Sequence, residues 1–278
     1  MTAGLLLVFC TGLAVSGYKV LSIVSQNRQA ASAYSELRVA AQSAPVTTRD
    51  VQPTAQAQPA LGTVAEVPLT GTPHGTDNPP TPPEPTAAPH QRSLDFATLQ
   101  ESAPNIVAWI TAQGTSIDYP VMHTDDNDYY LTHLYNGEPN RSGSIYVDYR
   151  NSGSFTERNT VIYGHLMKNG TMFNALEEFK AQDFYDTHPT MTLFTPDGDY
   201  LIELVSGTVE NGDREFVRFD LADDESVRQY VQELKARSTF ESNVDLQPGD
   251  RLVSLLTCSY ERANARYMVV GRLVALNP

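Results

Sequence analysis

The residues beyond 93 predict a mainly β domain, a barrel or sandwich interrupted by two helices, behind an N-terminal third built from an apolar run and a proline-rich spacer. Three observations carry that reading. Short runs rich in Val, Ile, Leu, Tyr, Phe or Thr follow one another at close spacing from Ser116 to Leu276. Two stretches among them, around Met172 and Val227, instead repeat their apolar residues at helical spacing. Eleven of the eighteen prolines fall between Pro45 and Pro89, where aromatic residues are almost absent.

Taken in order, the chain opens with an uncharged run from Ala3 to Gly17 that resumes after Lys19 through Val20, Leu21, Ile23 and Val24. From Gly4 to Val24 a helix spans about 31 Å, the thickness of a bilayer core. Residues 1–25 are therefore expected to be a single transmembrane anchor with Lys19 snorkelling to an interface. The rival is a cleaved signal peptide ending near Ala14, Val15, Ser16 and Gly17. Either places the remainder of the chain outside the cytoplasm. Residues 26–39 form a juxtamembrane segment, and residues 40–92, rich in Pro, Thr and Ala, a disordered spacer that bears too little apolar surface to offset its ordering entropy. The expected organisation is a folded domain over 93–278, held to the cell membrane by a long tether.

Within that domain Ser93 can cap a short helix through Leu94, Phe96 and Leu99, and Pro104 can open a second through Ile106, Val107 and Ile110. Strands are expected at Ser116 to Met122, Gly143 to Asp148, Thr160 to Gly164, Thr190 to Thr195, Tyr200 to Val209, Arg251 to Thr257 and Arg266 to Leu276. Pro196 to Asp199 reads as a hairpin turn. Met172, Phe173, Leu176 and Phe179 predict one interrupting helix. Val227, Tyr230, Val231 and Leu234, after an acidic start at Asp223, predict another.

Composition excludes several functions. The net charge of −14 disfavours nucleic acid, and it lies wholly beyond residue 93, since residues 1–93 carry equal numbers of acidic and basic groups. Two cysteines, Cys10 and Cys258, cannot build a disulfide framework or a cysteine zinc site, and no phosphate-binding glycine loop or metal-spaced histidine pair is present. No cofactor or metal is expected. Chemistry must come from isolated residues. Cys258 ends an apolar strand and is followed by polar residues, so it is either buried filler or a nucleophile at a strand mouth. His165 closes the strand Thr160 to Gly164 and is the best-placed base of six histidines. His74 and His90 lie in the spacer, and His123, His133 and His188 read as surface groups. Arg266 opens the last strand, and if the intervening loop is a hairpin it returns beside Cys258, where a cation stabilises a thiolate and an oxyanion. Arg262, inside that loop, is the fallback.

These residues stand in segments whose order resembles the class B sortases, membrane-anchored cysteine transpeptidases of Gram-positive surfaces. The segments are Trp109-Ile110, Ile117 to Val121, Asp126 to Leu131, Asn159 to His165, Met172-Phe173, Leu255 to Cys258 and Arg266 to Val270. The resemblance implies a closed eight-stranded sortase barrel with N-terminal helices and a helix between strands six and seven. It implies His165, Cys258 and Arg266 as the catalytic trio. Asn127, Leu131, Leu256 and Ser259 match positions that contact a sorting-signal peptide, and Tyr163 and Thr257 beside them complete the substrate-binding candidates. Two positions depart from the family pattern, Ser254 in place of Thr and Leu256 in place of Ser, which bears on peptide preference.

The implied reaction is a ping-pong acyl transfer. Cys258 attacks the sorting signal of an exported protein, and a peptidoglycan amine or a pilin lysine accepts the acyl group. Two other readings are a sortase-like module that binds peptides without cutting them and a cysteine endopeptidase that uses water.

Overall fold

The computed structural model describes residues 2–43, 94–258 and 264–276, with side chains along the first helix from residue 15 to residue 41. Eight strands close a barrel in the order β1-β2-β3-β4-β7-β8-β6-β5, with β5 returning to β1. They are β1 (Ile106–Thr111), β2 (Asp118–Met122), β3 (Ile145–Val147), β4 (Asn159–Tyr163), β5 (Thr190–Thr195), β6 (Gly198–Asn211), β7 (Arg251–Cys258) and β8 (Ala265–Ala275). The helices are α1 (Thr2–Ser43), α2 (Phe96–Ser102), α3 (Tyr129–Thr132), α4 (Gln182–Thr187) and α5 (Asp224–Lys235). A 3-10 helix covers Phe173–Lys180, where the helical spacing of Phe173, Leu176 and Phe179 predicts a helix.

All seven expected strands form, and β1 is the eighth. Its local spacing predicts a helix opened by Pro104. Instead Ala108, Trp109 and Ile110 are consecutively buried, which a one-sided helix would not do, and the strand pairs with β2 and β5. Without it the barrel would not close. Tertiary pairing here overrides a local spacing that fits either element. The cap of α2 is Asp95, whose carboxylate accepts from Ala97 N at 3.0 Å and Thr98 N at 3.2 Å. Ser93, the expected cap, lies outside the described residues.

Strand alternation divides the apolar residues between two cores. Val253 and Leu255 of β7 and Val269 of β8 face the main cluster with Ile110, Ile162, Leu193 and Leu204. Leu252 and Leu256 of β7, Met268 and Val270 of β8 and Val161 of β4 face outward. There they meet Val227, Tyr230, Val231 and Leu234 of α5. That helix lies between the sixth and seventh strands and starts at a capping box, with Ser226 N donating to Asp223 Oδ1 at 2.8 Å and Asp223 N to Ser226 Oγ at 3.1 Å.

The helix α1 belongs to the same packed unit as the barrel. Residues 26–39, expected to be juxtamembrane, run within it, and so do residues 40–43 from the expected spacer. Ala30, Ala33, Tyr34, Leu37 and Ala41 are buried in the main cluster. Tyr34 OH donates to Gly143 O at 2.8 Å, and Tyr135 OH donates to Ala33 O at 3.0 Å. Burying Tyr34 and Leu37 contributes on the order of several kcal/mol before entropy. The rest of the spacer, residues 44–92, lies outside the described residues, but both of its flanks, α1 and α2, touch. Among the described residues no helix is long and apolar enough to cross a membrane.

Candidate active site on the outer face of the barrel

Three neighbouring strands build the site. β4 and β7 run parallel, with Tyr163 opposite Leu256, and Gly164 N extends the ladder to Leu256 O at 3.0 Å. Two residues further along each chain stand His165 and Cys258, on the same face as Leu256 by alternation. On the other side β8 runs antiparallel to β7, and Arg266 is the register partner of Cys258. Neighbouring strands lie about 4.8 Å apart, so the thiol is flanked by the imidazole-bearing and guanidinium-bearing positions one strand away on either side.

His165, Cys258 and Arg266 line one cavity of about 300 Å³ together with Asn127, Leu131, Tyr163, Leu256 and Thr257. Every substrate-binding candidate is therefore gathered except Ser259, which lies with Arg262 outside the described residues. Cys258 is a free, exposed thiol. Leu256 is buried beneath it, at the edge of the α5-covered core. Of the histidines expected at the surface, His133 stacks on Tyr129 and His188 on Phe184. Among the described residues no group of three or more His, Cys, Asp or Glu side chains is arranged to hold a metal ion.

Two glycines make room for the flanking side chains. A Cβ on Gly164 would run into Ile145 Cδ1 and come within 2.6 Å of Phe173 Cδ2, so the chain can approach the barrel wall just before His165 only with hydrogen there. A Cβ on Gly212 would lie 2.6 Å from Asn264 O and 3.3 Å from Arg266 Cζ. Arg266 donates from Nη1 to Ala265 O at 3.1 Å. Its register partner on β6, Glu210, is engaged by Arg237. His165 Nε2 lies 2.7 Å from Leu131 O. A carbonyl only accepts, so this nitrogen carries a proton, and the contact ties the ring to α3.

Asp128, Tyr146 and Gly164 also line the cavity, and no sequence pattern singles them out. Burial, reinforced by the Asp148 charge, pushes the phenols of Tyr146 and Tyr163 well above their ordinary range. Both therefore remain neutral hydrogen-bonding groups.

A free thiol beside a histidine and an arginine, on a closed barrel and opening on a groove, defines a cysteine acyl-transfer enzyme. The sortase domain model matches residues 110–274, and the chain belongs to the sortase family. Sortase B of Listeria monocytogenes is 36% identical over 182 residues, 65% of this chain and 74% of that protein. A Staphylococcus aureus sortase B–substrate complex superimposes with a TM-score of 0.62 at 32% identity, over 66% of this chain and 85% of that one. A sortase B structure complexed with triglycine gives a TM-score of 0.61 at 31% identity, over 66% and 86% of the two chains. The chain is a cysteine transpeptidase of the sortase B kind, with a cell-wall sorting function in the Gram-positive cell envelope.

Proposed function

We propose that Cys258 is the nucleophile, His165 the proton carrier and Arg266 the oxyanion partner of this transpeptidation. The register that sets the three on adjacent strand ends, facing one cavity, is the observation that supports it. Cys258 thiolate attacks the scissile carbonyl of a sorting signal, and the oxygen that becomes negative is held by the guanidinium of Arg266. As the tetrahedral adduct collapses, the imidazolium of His165 gives a proton to the departing amine, leaving a thioester on Cys258. An incoming amine then attacks the thioester, His165 takes its proton, and thiolate leaves as the new amide forms. With Nε2 engaged by Leu131 O, proton exchange falls to Nδ1.

Asn127, Leu131, Tyr163, Leu256, Thr257 and Ser259 form the peptide groove in this reading. The solved relatives in complex with a substrate and with triglycine support a peptide donor and an amine acceptor. The acceptor is a peptidoglycan amine or a pilin lysine. Residues 93–278 make the catalytic domain, and residues 1–25 hold it in the membrane with the active site outside the cell. The exposed Val15, Val20, Leu21, Ile23 and Val24 on α1 support that anchoring.

The test is incubation with a panel of sorting peptides followed by intact mass measurement, with and without an added amine. An acyl adduct on Cys258 that an amine resolves to a new amide is expected. Absence of any adduct across the panel, or release by water that added amine never diverts, overturns the assignment.

A further inference from the structure

The catalytic trio leaves unused a carboxylate immediately behind the groove. Asp148 follows β3 directly and is fully buried. Its Oδ1 accepts from Arg150 N at 2.9 Å and Nε at 2.8 Å, and its Oδ2 from Arg150 Nη2 at 2.9 Å, Tyr163 OH at 2.9 Å and Asn127 Nδ2 at 3.1 Å. Tyr163 and Asn127 both line the Cys258 cavity. Asn127 is gripped a second time, its Oδ1 accepting from Tyr149 N at 3.1 Å.

The partner cation reaches into the adjoining cavity. Arg150 lies beneath the ring of Phe219, its Cζ 3.7 Å from the centroid, and its Nη1 is 3.6 Å from Glu215 Oε1. Phe219 and Glu215 belong to the segment between β6 and α5. With Arg150, Tyr163, Leu256 and Arg266 they line an adjoining cavity of about 220 Å³. One buried charge thus links Asn127 and Tyr163 in the Cys258 cavity, through Arg150, to Phe219 in the adjoining one.

We propose that Asp148 is a positioning residue for the sorting peptide: by holding Asn127, Tyr163 and Arg150 together it sets the width of the groove and the place of the Phe219 wall. A buried carboxylate is costly to desolvate, and apolar filling can give equal stability. What a carboxylate does that apolar filling cannot is hold three donors from different parts of the chain in fixed directions. The proposal rests on the reading of the Cys258 cavity as the peptide groove.

The experiment compares Asp148→Asn with the unaltered chain in peptide turnover, in alkylation of Cys258 by iodoacetamide, which needs the thiol but no groove, and in thermal melting. Asp148→Asn should raise KM about tenfold, the worth of roughly one charge-assisted hydrogen bond. It should leave kcat within about threefold and the alkylation rate unchanged. Phe219→Ala removes the ring over Arg150 and leaves the Asp148 bonds in place, whereas Arg150→Met also removes two donors to Asp148. They should raise KM severalfold, and they serve as the test if Asp148→Asn does not fold. An unmoved KM in all variants that fold, or kcat and alkylation falling in step with melting temperature, overturns the proposal. Adduct formation by the unaltered chain separates that outcome from failure of the groove reading itself, in which no adduct forms at all.

Discussion

The two sides of the Cys258 cavity are built differently. On the strand side, His165, Cys258 and Arg266 stand at the ends of β4, β7 and β8, and backbone ladders determine their spacing. On the other side Asn127 and Leu131 stand just before and within the short helix α3, Phe219 lines the adjoining cavity, and Asp148 and Arg150 place Asn127 and Phe219. A ladder tolerates change in the side chains it carries. A polar cluster fails when one member goes. In the proposed assignment, reaction chemistry is supported by the rigid half of the site, and peptide fit depends on the half that is easier to perturb.

That contrast can be broken in several ways. Cys258→Ala should reduce adduct formation to background in intact mass measurements while leaving the melting temperature unchanged, because the thiol is exposed and its strand position is held by backbone bonds. Arg266→Met should lower kcat by about a hundredfold to a thousandfold, as loss of an oxyanion donor does, with little change in KM. Comparable rises in KM would show the strand side to be less independent than the register implies. Gly164→Ala places a methyl group against Ile145 and Phe173 and should destabilise the fold by about 1–3 kcal/mol in denaturant titration, lowering activity through His165. Asn127→Ala should raise KM about threefold to tenfold with kcat held, read from initial rates over a range of peptide concentration.

The smallest effect concerns acid. Burial alone would raise the Asp148 carboxyl, but the Arg150 guanidinium and backbone N–H, Tyr163 and Asn127 outweigh it and hold the carboxyl below its ordinary range. A lowered folded value means that the ionised carboxyl stabilises the fold above the unfolded value, near pH 4, and that this contribution fades as pH drops through the folded value. The melting-temperature gap between the unaltered chain and Asp148→Asn should therefore be constant above about pH 5 and shrink below about pH 4. A gap that widens in acid would contradict the sign.

Legibility in the sequence follows the same division. His165, Cys258 and Arg266 can be read because each closes or opens a patterned strand, and the hairpin register between β7 and β8 follows from strand and loop lengths. β1 misleads because Ile106, Val107 and Ile110 satisfy a helical spacing and Pro104 offers a first-turn signal, whereas its pairing partners lie in β2 and β5. Asp148 and Arg150 pass unnoticed because nothing local announces that Asn127 and Tyr163 converge on one carboxylate. The docking of α1 is equally silent, since Tyr34 finds its acceptor at Gly143, 109 residues away.

The seating of α1 changes how the enzyme would stand at a cell surface. The apolar run ends at Val24 and the first side chain buried against the barrel is Ala30, a separation of about 9 Å along a helix. With residues 1–25 in a bilayer, as proposed, the barrel rides on a short stalk instead of swinging on a leash. Cargo and acceptor must then be delivered to the enzyme within a thin layer just above the lipid.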